Sequence, residues 1–205
     1  MSDDLVRALA APATVEVPPI SGSRFVGHAA PVTDEASAMA VISTRRQSDP
    51  DASHHCWAWV LADGRHRASD DGEPRDTAGE PILRHVRGAD LSDVVVVVTR
   101  WFGGTKLGRG GLVRAYGDTA AAVLDAATIV ERHRTVDRRL EHPYDLTAAV
   151  DRVLAAFEAT EVDADYGAAV TRTVLVRRSQ AAAFDAALRE ATSGLVTAAP
   201  PNGDD

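Results

Sequence analysis

Five consecutive valines, Val94 to Val98, constrain this chain more than any other feature. A run that is β-branched and apolar on both faces reads as a fully buried strand, far too short to span a membrane. It leads through Thr99-Arg100-Trp101-Phe102 into Gly103-Gly104-Thr105-Lys106-Leu107-Gly108-Arg109-Gly110-Gly111. Glycines there allow a sharp turn and a close approach of backbone to another group. A helical pattern opens at Gly110 or Gly111, with Leu112, Ala115, Tyr116, Thr119, Ala120, Val123 and Ala127 on one face. Strand, glycine loop and helix start form an arrangement that turns backbone N–H groups and a positive dipole end toward an anion. Arg100, Lys106, Arg109 and Arg114 lie in this stretch with no acid between Asp93 and Asp118, in a chain of net charge −8.

A strand-to-helix turn needs glycine for conformation alone, so a scaffold reading accounts for the same residues. The spacing is neither Gly-x-Gly-x-x-Gly nor the Gly-x-x-x-x-Gly-Lys-Ser/Thr of a phosphate loop, since Leu107 follows Lys106 where a hydroxyl is needed.

At 205 residues, the chain has room for one large or two small domains. Its 45% hydrophobic and 25% charged residues are ordinary for a soluble globular protein, and no apolar run suits a membrane. The start, Met1-Ser2-Asp3-Asp4, lacks the basic region of a secretory signal. Lone Cys56 has no internal disulfide partner, which points to a reducing cytoplasm. Arginine outnumbers lysine 21 to 1 and aspartate outnumbers glutamate 21 to 9. That usage resembles a halophile's high-salt cytoplasm, although a GC-rich genome would also convert Lys to Arg.

In chain order, residues 1–13 read as a loose lead-in. Thr14–Val17 reads as a strand stopped by Pro18-Pro19, and Arg24–Ala29 as another. A helix capped from Thr33 presents Ala36, Met39, Ala40 and Ser43 inward and ends at Asp49-Pro50. A strand over 54–61 turns at Asp63-Gly64 and returns. Glu131-Arg132-His133-Arg134 reads as a connector between domains at 14–130 and 135–199. The second domain runs as a strand over 140–144, a helix with Leu146, Val150, Val153, Leu154 and Phe157, and one or two strands over 166–176. A helix over 181–191 and a strand over 195–198 follow. This β-α-β-β-α-β order is ferredoxin-like and makes a complete small core. The fold class is therefore α+β.

Two polar clusters invite a metal reading. His54-His55-Cys56 sits on a strand, where successive side chains alternate faces and cannot converge on one ion. Asp70, Asp71 and Glu73 could hold a hard cation. The same residues are also turn chemistry, with Thr77-x-x-Glu80 as a capping box before Ile82, Leu83 and Val86, unless Pro81 moves the helix start to Glu80. Turn and cap is favoured over metal, and no cofactor is implied.

The motifs Asp70-Asp71-Gly72-Glu73-Pro74, Thr77-Ala78-Gly79, Arg100-Trp101-Phe102-Gly103-Gly104, Leu107-Gly108 and Gly110-Gly111-Leu112-Val113-Arg114-Ala115-Tyr116 carry a resemblance. Arg24-Phe25 and His54-His55-Cys56 match in order. Together they resemble the IMPACT family in its two-domain bacterial and archaeal YigZ-type form, over roughly residues 14 to 199. The resemblance implies an N-terminal domain of the ribosomal-protein and small-molecule-kinase β-α type. It also implies a C-terminal domain similar to the ferredoxin-like ends of elongation factor G. Eukaryotic members modulate translation by competing for the activator of the general-control kinase through an added N-terminal domain; this sequence shows none, so the kinase role is not expected here.

Three functional classes follow, in this order. The first is a non-catalytic translation-associated factor that binds RNA or the ribosome. Its anion-binding residues would be Arg100, Gly103, Gly104, Lys106, Gly108, Arg109, Gly110, Gly111 and Arg114, with Trp101 and Phe102 as stacking candidates. The second is an enzyme acting on a phosphorylated small molecule, for which no nucleophile–base pair is visible in the sequence. The third is a module that docks a protein partner.

Overall fold

A computed structural model describes residues 4–199. It divides into two compact units, one from Val6 to Glu131 and the other comprising residues 132–199 with Asp4 and Leu5. The elements in order are β1 (Leu5–Leu9), β2 (Ala13–Ile20), β3 (Ser23–Pro31), α1 (Glu35–Ser48), β4 (His54–Val60) and β5 (His66–Ser69). Then come α2 (Gly79–Gly88), β6 (Val94–Trp101), α3 (Gly108–Ala126) and β7 (Ile129–His133). The remainder is β8 (Thr135–His142), α4 (Thr147–Ala156), β9 (Thr160–Tyr166), β10 (Val170–Arg177), α5 (Ala181–Ala191) and β11 (Ala198–Ala199). The architecture is α+β with antiparallel sheets.

The first unit is organised around β6, the central strand of a five-stranded sheet ordered β2-β3-β6-β4-β5. All five valines are fully buried. Strand alternation sends Val94, Val96 and Val98 into one core with Ile82, Leu83 and Val86 of α2 and Leu112, Tyr116 and Val123 of α3. Val95 and Val97 go to the opposite face, with Ala38 and Ile42 of α1 and the β4 tryptophans Trp57 and Trp59. At roughly 1.5–3 kcal/mol for each fully buried valine, this strand ties two helical layers to one sheet. Gly27 of β3 lets α3 approach, because a Cβ there would stand 3.0 Å from the Thr119 carbonyl oxygen.

The second unit is a four-stranded sheet ordered β11-β8-β10-β9. One face of it buries Leu140, Val174 and Val176 against Val150, Val153 and Leu154 of α4 and Phe184 and Leu188 of α5. Phe157 meets Phe184 edge to face at 5.6 Å. A separate two-stranded sheet pairs β1 with β7.

Several elements depart from what the sequence suggests. Part of the supposed lead-in is β1, held by pairing with β7 rather than by any pattern of its own. The charged connector Glu131–Arg134 contains the end of that same β7. Pro18 and Pro19 do not stop β2, because it is an edge strand whose register shifts between Val17 and Ile20, where a missing N–H breaks no ladder. Helix α1 buries Ala38 and Ile42, half-buries Met39 and leaves Ala36, Ala40 and Ser43 outside. Helix α3 opens at Gly108, β9 begins at Thr160, and the last strand shrinks to Ala198–Ala199 while Leu195 is 73% exposed.

The cap of α1 is Asp34, not Thr33. Its carboxylate accepts the Ser37 N–H at 2.7 Å, while the Ser37 hydroxyl accepts the Asp34 N–H at 3.1 Å. The Ser37 backbone and side-chain hydrogen bonds hold the Asp34 carboxyl below its ordinary 3.8. A depressed carboxyl stabilises the fold fully above the unfolded value and loses that contribution as pH falls through the folded one. Asp34→Ala should therefore lower unfolding free energy by about 1 kcal/mol at neutral pH. The gap to wild type, followed by urea denaturation, should close below pH 3.8. A gap that persists unchanged in acid would show that the cap acts through something other than its charge.

Candidate functional site

At the end of β6 the alternation that buries the valines also separates two neighbouring residues. Arg100 continues the row of Val94, Val96 and Val98, so it faces α2 and α3; Trp101 continues the row of Val95 and Val97, toward α1. The Trp101 indole N–H donates to Asp51 at 3.1 Å, and the Arg24 guanidinium lies 4.2 Å above its ring. The two stacking candidates are thus parted, and Phe102, 49% exposed, is the ring left on the Arg100 side.

Arg100 is itself buried. Its Nη1 donates to Glu73 Oε1 at 2.5 Å and its Nη2 to Ser23 Oγ at 3.1 Å. Both side chains of the pair are 5% exposed. The guanidinium also stands 5.5 Å from the Phe25 ring and 5.4 Å from the Phe102 ring. The Tyr116 hydroxyl donates to the same Glu73 oxygen at 2.8 Å, and its ring meets Phe25 edge to face at 5.4 Å. His54 donates from Nδ1 to the Asp71 carbonyl at 2.8 Å, because a carbonyl can only accept. Its Nε2 is left 4.0 Å from Glu73 Oε1.

The acidic turn is built into the scaffold. Asp71 and Gly72 take left-handed φ values of 43° and 90°. Asp70 accepts the N–H groups of Asp76, Ala78 and Gly79 at 2.8–2.9 Å, so it caps α2 from eight residues upstream. The expected Thr77–Glu80 box does not form: α2 begins at Gly79, and Thr77 instead donates to the Pro74 carbonyl. A Cβ at Gly79 would lie 2.7–2.9 Å from the Ser69 backbone, so only glycine fits at this helix start. Asp71 accepts the His55 N–H at 2.7 Å and pairs with Arg46 at 2.6 Å. Among the described residues, no group of three or more His, Cys, Asp or Glu side chains could hold a metal ion.

Cys56 and His55 are also engaged. Burial pushes the Cys56 thiol up, and it donates to the Asp70 carbonyl at 3.0 Å. Burial lowers His55, whose Nε2–H points to the Asp49 carbonyl at 3.2 Å. Burial raises the Tyr116 hydroxyl well beyond its ordinary value. A protonated thiol and a protonated phenol make poor nucleophiles at neutral pH.

What these residues enclose is a cleft of about 420 Å³, floored by Glu73 and Arg100 and rimmed by Phe102, Lys106, Leu107 and Arg109. The glycines of the loop have different reasons to be there. A Cβ on Gly103 would stand 1.9 Å from the Gly22 backbone, so steric contact requires glycine. Gly104 and Gly108 have φ of 88° and 69°, which is a conformational requirement. Gly110, in the first turn of α3, meets neither condition: its φ is not left-handed and a Cβ would enter open space. A Cβ on Gly111 would stand 3.1 Å from the Leu107 side chain.

The four bases of the stretch are not equivalent. Arg100 is buried in its ion pair, whereas Lys106, Arg109 and Arg114 are exposed. Arg109 lies across the acidic turn, donating to the Arg75 carbonyl at 2.9 Å. Helix α3 starts with no side-chain cap and no acid in its first turn. Ser23 and Tyr116 hold the floor together, yet no motif marks Ser23; its hydroxyl accepts from Arg100 and from the Gly103 N–H at 3.2 Å.

Truncating one partner of a buried pair leaves the other charge uncompensated. Glu73→Ala should destabilise the first unit by ~3–5 kcal/mol, with part of the loss recovered in the Glu73→Ala, Arg100→Met double variant. Equal melting of wild type and Glu73→Ala would mean that the pair contributes nothing to the fold.

Residues 21–124 match the Impact N-terminal domain, and residues 140–195 match a domain of unknown function. The chain is 34% identical over 189 residues to the IMPACT family member YigZ of Escherichia coli (strain K12), covering 90% of this chain and 92% of that protein. It is 33% identical over 177 residues to the IMPACT family member YvyE of Bacillus subtilis (strain 168), covering 85% and 82%. The crystal structure of a hypothetical protein superposes with a TM-score of 0.72 at 31% identity, over 98% of this chain and 99% of that one. With both of its domains matched and such relatives aligned nearly end to end, the chain belongs to the IMPACT family, as a YigZ-type member.

Proposed function

We propose that this protein is a non-catalytic, translation-associated factor that binds RNA or the ribosome through the loop between β6 and α3. The observation that carries the reading is the exposed set Phe102, Lys106 and Arg109 beside an uncapped helix start, with Arg114 exposed further along the helix, in a chain of net charge −8. Cations concentrated on one loop of an otherwise acidic protein favour a polyanion there, and an exposed aromatic ring beside them suits an unpaired base. Family kinship fits a translation-related role. Within the same reading, residues 14–130 form a domain of the ribosomal-protein and small-molecule-kinase type. Residues 135–199 form a ferredoxin-like domain similar to the ends of elongation factor G, a reading supported by the strand order β11-β8-β10-β9 with α4 and α5 on one face.

The burial of Cys56 and Tyr116 weighs against covalent catalysis by these two groups. The open face of the second unit's sheet carries Asp137, Glu141, Asp163 and Asp165 on β8 and β9, opposite in register to Leu175, Thr171 and Thr173 of β10. These acids outnumber Arg139 and Arg177 on the same face. A polyanion is therefore better served by the loop of the first unit.

The test is co-sedimentation with ribosomes, with and without RNase, alongside direct RNA binding over a salt series. Association should be RNase-sensitive. Arg109→Ala should flatten the dependence of log affinity on log salt by about 0.7–0.9 per lost phosphate contact. RNase-resistant association, with unchanged salt dependence in Lys106→Ala and Arg109→Ala, would point to protein docking instead.

A further inference from the structure

We infer that the cleft between the acidic turn and the start of α3 holds a single nucleotide, its phosphate on the first turn of α3 and its base on Phe102. The inference rests on the RNA reading for the polymer to which such a nucleotide would belong, but not for the nucleotide itself.

Gly110 is the first observation. Glycine disfavours a helix, and the fold gives this one no reason to exist, since neither its backbone angle nor any neighbour excludes a side chain. Space left open at a helix start is what a group approaching the backbone needs. No side chain caps α3 and no acid stands in its first turn, and Gly108 and Arg109 of that turn line the cleft, so the positive end of the helix dipole lies beside it.

The lining is the second observation, and it is independent of the helix. Phe102 exposes about half its surface at the rim, Lys106 and Arg109 flank it, and Arg100 lies beneath. The Arg100 side chain is 5% exposed, yet its Nε has no hydrogen-bond partner among the described residues. Glu73 would repel an anion if it were free, but Arg100 neutralises it and Tyr116 donates to it. The floor is thus close to neutral and the rim is cationic. An inorganic anion would use the rim and the helix start but leave Phe102 bare, whereas a phosphate that carries a planar ring uses all three. A volume of about 420 Å³ suits one such unit rather than a duplex.

Adenosine 5′-monophosphate, adenosine and inorganic phosphate, titrated separately into the full chain by calorimetry at low salt, test this. The monophosphate should bind about tenfold or more tighter than either fragment, since one stacked base is an effect of that size. Phe102→Ala should weaken the monophosphate by a similar factor and leave inorganic phosphate unchanged. Gly110→Ala should weaken the monophosphate while melting at or above the wild-type temperature, the sign expected if glycine serves a ligand and not the fold. A monophosphate no tighter than phosphate, full affinity in Gly110→Ala, or a lowered melting temperature in that variant would each overturn the inference. A short oligoadenylate separates the two readings. Its binding without the monophosphate's would end the nucleotide site and keep the RNA reading; the monophosphate's binding without the oligomer's would do the reverse.

Discussion

Everything in the first unit depends on β6 being buried on both faces. A strand with one wet face could carry helices on one side only, and the sheet would then have a single core. Here Val94, Val96 and Val98 serve one helical layer and Val95 and Val97 the other. The consequence extends past the last valine. Because the strand runs on to Trp101, Arg100 must enter the layer of α2 and α3, where an unpaired guanidinium would be costly to desolvate. Glu73 is the carboxylate that makes this burial tolerable, and the turn that carries it is fastened by Asp70 on the start of α2 and by Asp71 on β4.

This dependence explains why an acidic turn and a basic strand end, some 27 residues apart in sequence, form one structure. The three carboxylates of the turn act on different parts of the fold. Asp70 caps a helix, Asp71 holds the β4 backbone and Arg46, and Glu73 neutralises the strand end. The turn and strand end make one hydrogen-bonded wall of the cleft, and the start of α3 lines it too. Functional groups placed on regular elements and locked by hydrogen bonds keep their geometry better than groups on free loops. The cleft has that support beneath it and exposed cations and Phe102 only at the rim.

Burial raises the Cys56 thiol and the Tyr116 hydroxyl, which weakens these two groups as nucleophiles at neutral pH. The carboxylates of the turn are engaged in structural bonds. Fold and family restrict mechanism far less than the state of individual groups does.

The valine run determined the central strand from sequence alone, because five consecutive β-branched apolar residues favour a strand buried on both faces over a helix. Periodicity likewise determined the buried faces of α3, α4 and α5, and Leu112, Val150 and Phe184 point inward as their spacing requires. Elements without their own pattern were decided by partners. β1 exists because β7 pairs with it, and β2 crosses two prolines because its edge position excuses the lost donors. Helix α2 starts at Gly79, whose N–H is taken by Asp70, and not with the Thr77–Glu80 box that the sequence suggests. The candidate site shows the same division. Sequence named the glycine loop and the acidic turn, since glycine spacing and charge are local properties. Only the tertiary structure parted Trp101 from Phe102, withdrew Arg100 into a buried pair, and showed that Gly103 and Gly110 are glycine for different reasons. Which face a strand residue takes, and what fills the space beside a glycine, are set by neighbours distant in the chain.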